Sequence, residues 1–339
     1  MRKFVPLVTV LAVVLIVLPA CTRRENAPAR TEAEAYEAAK SAYHDAETPE
    51  AKAAIAESYL KEFPDGKHAR SFAWVVAEYR GNELGQKEQA YETLTGVLEA
   101  NEDPARRLKI TLILAPLARD LGRPVDLAGA VAALEKERPL NWDETISVLE
   151  EATAAKDWDL VLARSEAALA LATPEACAAS RRGKGKDEEA LRKMADSRAS
   201  EALAYRALAL ASTGNVEEAE ALFAAAMEKS ARNYVGLPTS PAASFRGRIA
   251  LEQQDWDRAL ELLAPLAIMG GDAEAMRGVE TAWRGKHGST DGLEEWLWTT
   301  RQQLARPVDD FTLADYEGND HTLSKELGKV TLLAFWFPT

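Results

Sequence analysis

Five times between Gly85 and Leu266 the chain repeats one layout: a helical run, a tight polar turn, and a second helical run with small or apolar residues five, nine and twelve positions past the turn. The turns are anchored at Gly85 (Ala90, Leu94, Val97), Gly122 (Leu127, Val131, Leu134), Lys156 (Val161, Ser165, Ala168), Gly214 (Ala219, Phe223, Ala226) and Gln254 (Ala259, Leu263, Leu266). Steps of four and three residues keep the three positions on one helix face, so each second helix offers a single stripe to its partner. One helical hairpin cannot bury such faces alone; stacked hairpins can. The pattern therefore predicts a mainly α fold, a helical-hairpin solenoid over residues 32–303.

Successive anchors lie 37, 34, 58 and 40 residues apart. With its best copy, "LAYRALALASTGNVEEAEALFAAAMEKS", the series resembles a degenerate tetratricopeptide array, whose period is ~34 residues. In that copy Gly214 suits a left-handed turn, and Ala219 lets two helices approach. Two turns read Asp-Trp-Asp, at 157–159 and 255–257; the first Asp is read as a helix cap and the second as a partner for the helix's positive end, not as catalytic dyads. An earlier pair, closing with "SYLKEFPDG", joins the same stack. The longest gap holds an insertion centred on "SRRGKGKDEE", which lacks the strand, glycine spacing and Ser/Thr of a phosphate loop and reads as a solvated, mobile loop. Trp74, Trp142 and Trp283 read as helix-packing residues. The resemblance implies a groove that takes a protein or peptide ligand.

Acidic residues outnumber basic ones 54 to 41, a formal charge of −13, which argues against nucleic acid and against an anionic membrane surface as general partners. His44, His68, His287 and His321 lie far apart with no Cys or carboxylate at ligand spacing, so no metal site is expected, and no cofactor is implied.

Residues 1–20 follow the order of a secretory signal: Arg2 and Lys3, an apolar run from Phe4 to Leu18, then the small Ala20. The run is shorter than the ~20 residues a spanning helix needs. Leu18-Pro19-Ala20-Cys21 resembles a bacterial lipobox, with Pro19 the departure from its pattern; the alternative is a plain cleaved signal. The resemblance implies acylation of Cys21, anchoring in the cell envelope facing the periplasm, and, with Thr22 next, the outer membrane. Two or three acyl chains suffice for stable anchoring. Residues 21–31 then form the lipidated cysteine and a polar tether. Cleavage would remove +2 and leave −13 − 2 = −15, with Cys177 as the one remaining thiol and no internal disulfide. Cys177, among alanines, reads as a small helix residue.

Past Arg306-Pro307 the helical pattern gives way to a short strand at Phe311–Leu313, a turn around Gly318, a helical turn at Leu323–Leu327 and an apolar strand at Val330–Phe337. Pro307, Phe311, Leu313, Asp315, Gly318, Leu323, Ser324, Gly328, Lys329, Val330, Leu333, Phe335 and Trp336 resemble the opening of a thioredoxin-like redoxin domain, of the thiol-disulfide oxidoreductase and alkyl hydroperoxide reductase/thiol-specific antioxidant group. By that resemblance residues 304–339 are an incomplete α/β thioredoxin-like domain. Trp336, Pro338 and Thr339 lie beside the active site, and the nucleophilic cysteine of Cys-x-x-Cys is expected one position past Thr339. A sequence boundary, or a selenocysteine whose UGA codon is read as stop, would each place the end there. No catalytic residue is expected within the chain, and an apolar strand without its sheet is an aggregation hazard unless covered. Residues 307–339 are therefore expected to be poorly ordered or to lie against the repeats.

Two functions follow. In complete form the chain would be a membrane-anchored periplasmic thiol-disulfide oxidoreductase acting on protein thiols or disulfides, with peroxide reduction subsidiary because Pro338 could open a peroxiredoxin loop; the given chain would be inert. The alternative is a lipoprotein scaffold whose repeats bind proteins or peptides without catalysis.

Overall fold

The computed structural model describes residues 30–233, 236–305, 309–315, 317–326 and 328. The chain divides into two compact units, the first ending at Arg123 and the second starting at Pro124. Unit 1 holds α1 (Glu32–Asp45), α2 (Pro49–Glu62), α3 (Ala69–Val75), a π-helical continuation of α3 over Val76–Glu83, α4 (Lys87–Ala100) and α5 (Pro104–Asp120). Unit 2 holds α6 (Leu127–Glu135), α7 (Trp142–Ala154), α8 (Trp158–Ala170), α9 (Pro174–Ala179), α10 (Glu188–Ser212), α11 (Val216–Lys229), α12 (Ala242–Glu252), α13 (Trp256–Gly270), α14 (Ala273–His287) and α15 (Leu293–Leu304). Beyond these come β1 (Thr312–Ala314), β2 (Asp320–Thr322) and α16 (Leu323–Glu326). The protein is thus mainly α, built of helical hairpins, with one two-stranded sheet among the described residues.

The helices start where side chains can satisfy their free N–H groups. Thr31 and Asn141 form capping boxes with Glu34 and Glu144, and Thr48, Asp103, Asp126, Thr173, Asp187 and Asp272 each accept from the first turn of their helix. In the two Asp-Trp-Asp turns, Asp157 accepts from Leu160 N and Asp255 from Arg258 N, at 3.1 Å each, as the sequence indicates.

All five anchors are left-handed: φ is 67° at Gly85, 64° at Gly122, 58° at Lys156, 95° at Gly214 and 58° at Gln254. Four of the turns close with the same bond, the N–H after the anchor reaching back five residues: Arg123 to Ala118, Asp157 to Ala152, Asn215 to Leu210 and Asp255 to Ala250, at 2.8–2.9 Å. This is the six-to-one closure of a Schellman ending. At Gly85 the π-helical segment adds a residue, and Gln86 N reaches Arg80 O instead. Past the turns, fourteen of the fifteen stripe residues are buried, and Leu266 is half-buried. The Gly122 turn differs from the rest. Its next helix begins three residues later than at the other anchors, after Arg123-Pro124, and the boundary between the units falls there.

Lysine and glutamine carry a Cβ penalty of about 1 kcal/mol or more at φ near 60°, which glycine lacks. Lys156→Gly and Gln254→Gly are therefore each expected to raise the unfolding free energy by about 0.5–1 kcal/mol after the entropy glycine adds to the unfolded chain. Urea unfolding checks this, and a drop in midpoint for both variants would contradict it.

Within unit 1, α2 packs on α1, α3 and the π-helical segment, and α4 packs on that segment and on α5. Gly81 lets the π-helical segment come close to Ala90 and Leu117: a Cβ there would stand 3.5 Å from Ala90 Cβ and 2.8 Å from Leu117 Cδ2. Within unit 2 the packing runs α7 on α8, α8 on α10, α10 on α11, α12 on α13 and α13 on α14. Leu263, a stripe residue of α13, is wedged between Gly247 of α12 and Gly278 of α14; a Cβ on either glycine would lie within 2.6 Å of its methyls.

The 58-residue gap is filled by α9, a turn, and the first half of the 25-residue α10. The basic insertion is not wholly solvated. Ser180 donates to Cys177 O at 2.6 Å, Gly183 is buried, and a Cβ on Gly183 would collide with the Cys177 carbonyl.

Near the C-terminal end the strand read at Phe311–Leu313 lies one residue later, and a second strand, Asp320–Thr322, follows the turn around Gly318 where none was read. Thr312, Leu313 and Ala314 pair antiparallel with Thr322, His321 and Asp320. Asp315 accepts from Glu317 N, Asn319 N and Asn319 Nδ2, which holds its carboxyl well below the usual range, while Gly318 supplies a φ of 87°. The signal segment, Cys21, Pro307, the Val330–Phe337 strand and Trp336, Pro338 and Thr339 lie outside the described residues. Among the described residues no helix is long and apolar enough to cross a membrane.

Candidate functional site

The three tryptophans read as packing residues part company in the structure. Trp283 is buried in α14, its Nε1 donating to Asp291 O at 3.1 Å and its ring 5.3 Å from that of Trp296. Trp142 is half-buried, with the Arg198 guanidinium 4.8 Å over its ring. Trp74 is 53% exposed, and the packing expectation fails there. The reason is its phase on α3. Ala69, Phe72, Ala73 and Val76 form the buried stripe, spaced three, one and three residues apart, and Trp74 falls off it.

Trp74 stands at a groove of about 440 Å³ in unit 1, walled by alternate helices: Tyr36, Lys40 and Tyr43 from α1, Arg70, Phe72 and Trp74 from α3, and Ile113 from α5. Two networks fix the tyrosines. At one end Tyr36 stacks on the His68 ring at 3.6 Å and meets Phe72 edge-on at 6.4 Å, while Tyr59 stacks behind Phe72 at 4.2 Å. Glu32 ties this end together, accepting from Tyr59 Oη at 2.8 Å and from His68 N at 3.4 Å. Burial works against the Glu32 carboxylate, but the Tyr59 hydroxyl and the N–H groups of His68 and Lys67 outweigh it and lower its pKa. At the other end the hydroxyls of Tyr43 and Tyr79 lie 3.1 Å apart under Lys52, whose Nζ is 5.6 and 4.9 Å from the two ring centres. That hydrogen bond, with burial, pushes the Tyr43 phenol up to about 12.

The groove lining contains two cations, Lys40 and Arg70, and no carboxylate, in a chain where acids outnumber bases. Chemically it is an aromatic surface with a positive rim, on which Lys40 also lies 3.9 Å from Glu37 Oε2. It can pack an apolar or aromatic side chain and pair a nearby anion.

A larger recess, about 810 Å³, lies among α13, α14 and α15 of unit 2, where Trp298 is 60% exposed beside Asp291, Glu294, Glu295 and Arg301. Among the described residues α15 is the last helix of the stack, and an end helix leaves one face without a neighbour. Trp74 has helices of its own unit on both sequence sides, so its exposure marks a surface left open within the stack.

Cys177 is fully buried in α9, and burial raises its thiol pKa against the opposing influence of Arg198. In the Cys21→Ser chain, Cys177 is expected to resist an aromatic disulfide reagent until urea unfolds the protein. Stoichiometric labelling within minutes under native conditions would contradict that placement. The histidines are dispersed: His44 ends α1, His287 ends α14 near Trp283, His68 stacks on Tyr36, and His321 pairs with Asp315 and Glu326 in the hairpin. Among the described residues no group of three or more metal-type ligands comes together.

Fold and groove together define a mainly α, helical-hairpin repeat protein with an aromatic recess in its first unit. No family model matches the chain, and no curated protein matches it. A solved structure of the assembly chaperone of RpL4 (Acl4) is similar over 80% of this chain and 100% of the chaperone chain, at 16% identity and a TM-score of 0.39. At that score no functional property passes from the chaperone to this chain.

Proposed function

We propose that the protein is a helical-repeat scaffold that binds a protein or peptide segment in the groove of unit 1, without catalysis. The observation that carries the reading is Trp74, half exposed beside Tyr36, Tyr43 and Phe72 on a lining with two cations and no acid. Contiguous aromatic surface is uncommon on a chain that binds nothing, and tryptophan, tyrosine and arginine are the residue types that dominate binding energy. The chemistry suits an apolar or aromatic side chain flanked by a carboxylate. Stacked hairpins also hold such a surface rigid before binding, which lowers the ordering cost of association.

Selection of displayed random peptides on the whole chain tests the proposal. Peptides enriched on the native protein are expected to be depleted by a counter-selection on Trp74→Ala, and to carry aromatic and acidic residues together. Enrichment that survives counter-selection unchanged would sink it. Lipid anchoring through Cys21 and thiol-disulfide exchange rest on sequence resemblance alone; Cys21 and the Trp336, Pro338 and Thr339 end of the redoxin-like segment lie outside the described residues.

A further inference from the structure

Trp298 lies open in unit 2 as Trp74 does in unit 1. Helix α15 packs into its unit through Leu293, Trp296, Leu297 and Leu304, and Trp298 falls off that stripe, at the recess of about 810 Å³ among α13, α14 and α15. Ile268 of α13, Met276 of α14 and Leu297 of α15 give the recess its apolar lining. Its charged residues are three acids, Asp291, Glu294 and Glu295, against one base, Arg301. The turn before α15 fixes where they stand. Trp283 Nε1 donates to Asp291 O and Leu293 N to Thr290 O, at 3.1 Å each, and Gly292 takes a φ of 76° as the helix begins. Glu294 and Glu295 then precede Trp298 by four and three residues, the spacings that set side chains next to one another on a helix. Arg301 donates to Ile268 O at 3.3 Å, and none of the three carboxylates is ion-paired with a described residue.

We propose that this recess docks a basic segment of a partner protein, with an arginine side chain laid on the Trp298 indole and paired with Glu294 and Glu295. Charge complementarity selects the occupant. An indole face attracts a cation, and a guanidinium can stack on that face while its donors reach carboxylates beside it. Ile268, Met276 and Leu297 take the apolar side chains flanking the arginine, and the acidic rim turns away acidic segments. A second copy of this chain, with its formal charge of −13, is a poor match for such a rim. The recess and the unit 1 groove thus suit segments of opposite charge, and this proposal does not rest on that groove.

The test uses the full chain carrying 5-fluorotryptophan at its eight tryptophans, with the Trp298 resonance assigned by its loss in Trp298→Phe. The peptide acetyl-Leu-Arg-Leu-Arg-Leu-amide is expected to shift that fluorine signal saturably, and the same peptide with glutamine for each arginine, at matched ionic strength, is not. The double variant Glu294→Gln/Glu295→Gln should weaken binding about fivefold, the scale of two exposed charge pairs. Both side chains are exposed, so the variant keeps the fold. Glu280→Gln, on α14 outside the lining, and Trp74→Ala, in unit 1, should leave the titration unchanged. A linear, non-saturating shift, an equal response to the glutamine peptide, or a titration unaffected by the double variant would each overturn the proposal. So would a Trp298 signal that moves with protein concentration when no peptide is present, which would assign the recess to a second copy.

Discussion

Phe223→Ala is expected to destabilise the protein by about 3–5 kcal/mol, the range for truncating a fully buried aromatic residue. Phe223 occupies the ninth position past the Gly214 turn and is fully buried in α11. Its stripe neighbours on the same helix are Ala219 and Ala226, too small to fill the space it would vacate. α11 packs on α10 and α12, so the cavity would open between hairpins. In a stacked-repeat fold stability is close to a sum of hairpins and their interfaces, which concentrates the loss in α10–α12. Against a total of about 5–15 kcal/mol, that is a large fraction. Urea unfolding measures the loss and amide hydrogen exchange locates it; a change below about 1 kcal/mol would mean that the stripe is not the core of its hairpin.

The second large effect is on binding. For a peptide selected on the native chain, Trp74→Ala is expected to raise Kd by about 30-fold or more, since truncating a central aromatic anchor costs about 2 kcal/mol upward. Stability should hardly move, because the indole is more than half exposed and makes none of the buried stripe of α3. Trp298→Ala supplies the contrast. It removes a tryptophan of similar exposure, 60%, from unit 2, and should leave the peptide affinity within about twofold. Equal losses for both variants would point to indiscriminate hydrophobic contact.

The hairpins were legible because the signal is periodic and physical. A left-handed turn residue followed by small or apolar side chains at five, nine and twelve positions survives even where the anchor is lysine or glutamine, as Lys156 and Gln254 show with φ of 58°. Asp157 and Asp255 were legible as caps because a carboxylate one residue before a helix has one obvious use. Other features carry no local signal. The π-helical turn over Val76–Glu83 contains no residue that demands it, and Pro116 and Pro265 lie inside α5 and α13 where sequence rules would break a helix. A groove was expected, but its place and the part of Trp74 in it were missed for a different reason. Whether a helical tryptophan packs or stays open depends on which neighbour covers it, and that is a property of the stack. One clue was present, since the stripe of Ala69, Phe72, Ala73 and Val76 already leaves Trp74 off the buried face of α3.

The most direct measurement is amide hydrogen exchange of the full chain with and without a saturating selected peptide. Protection confined to α1, α3 and α5 is the expected result. Protection restricted to α13–α15, or none anywhere in unit 1, would contradict the assignment of the groove.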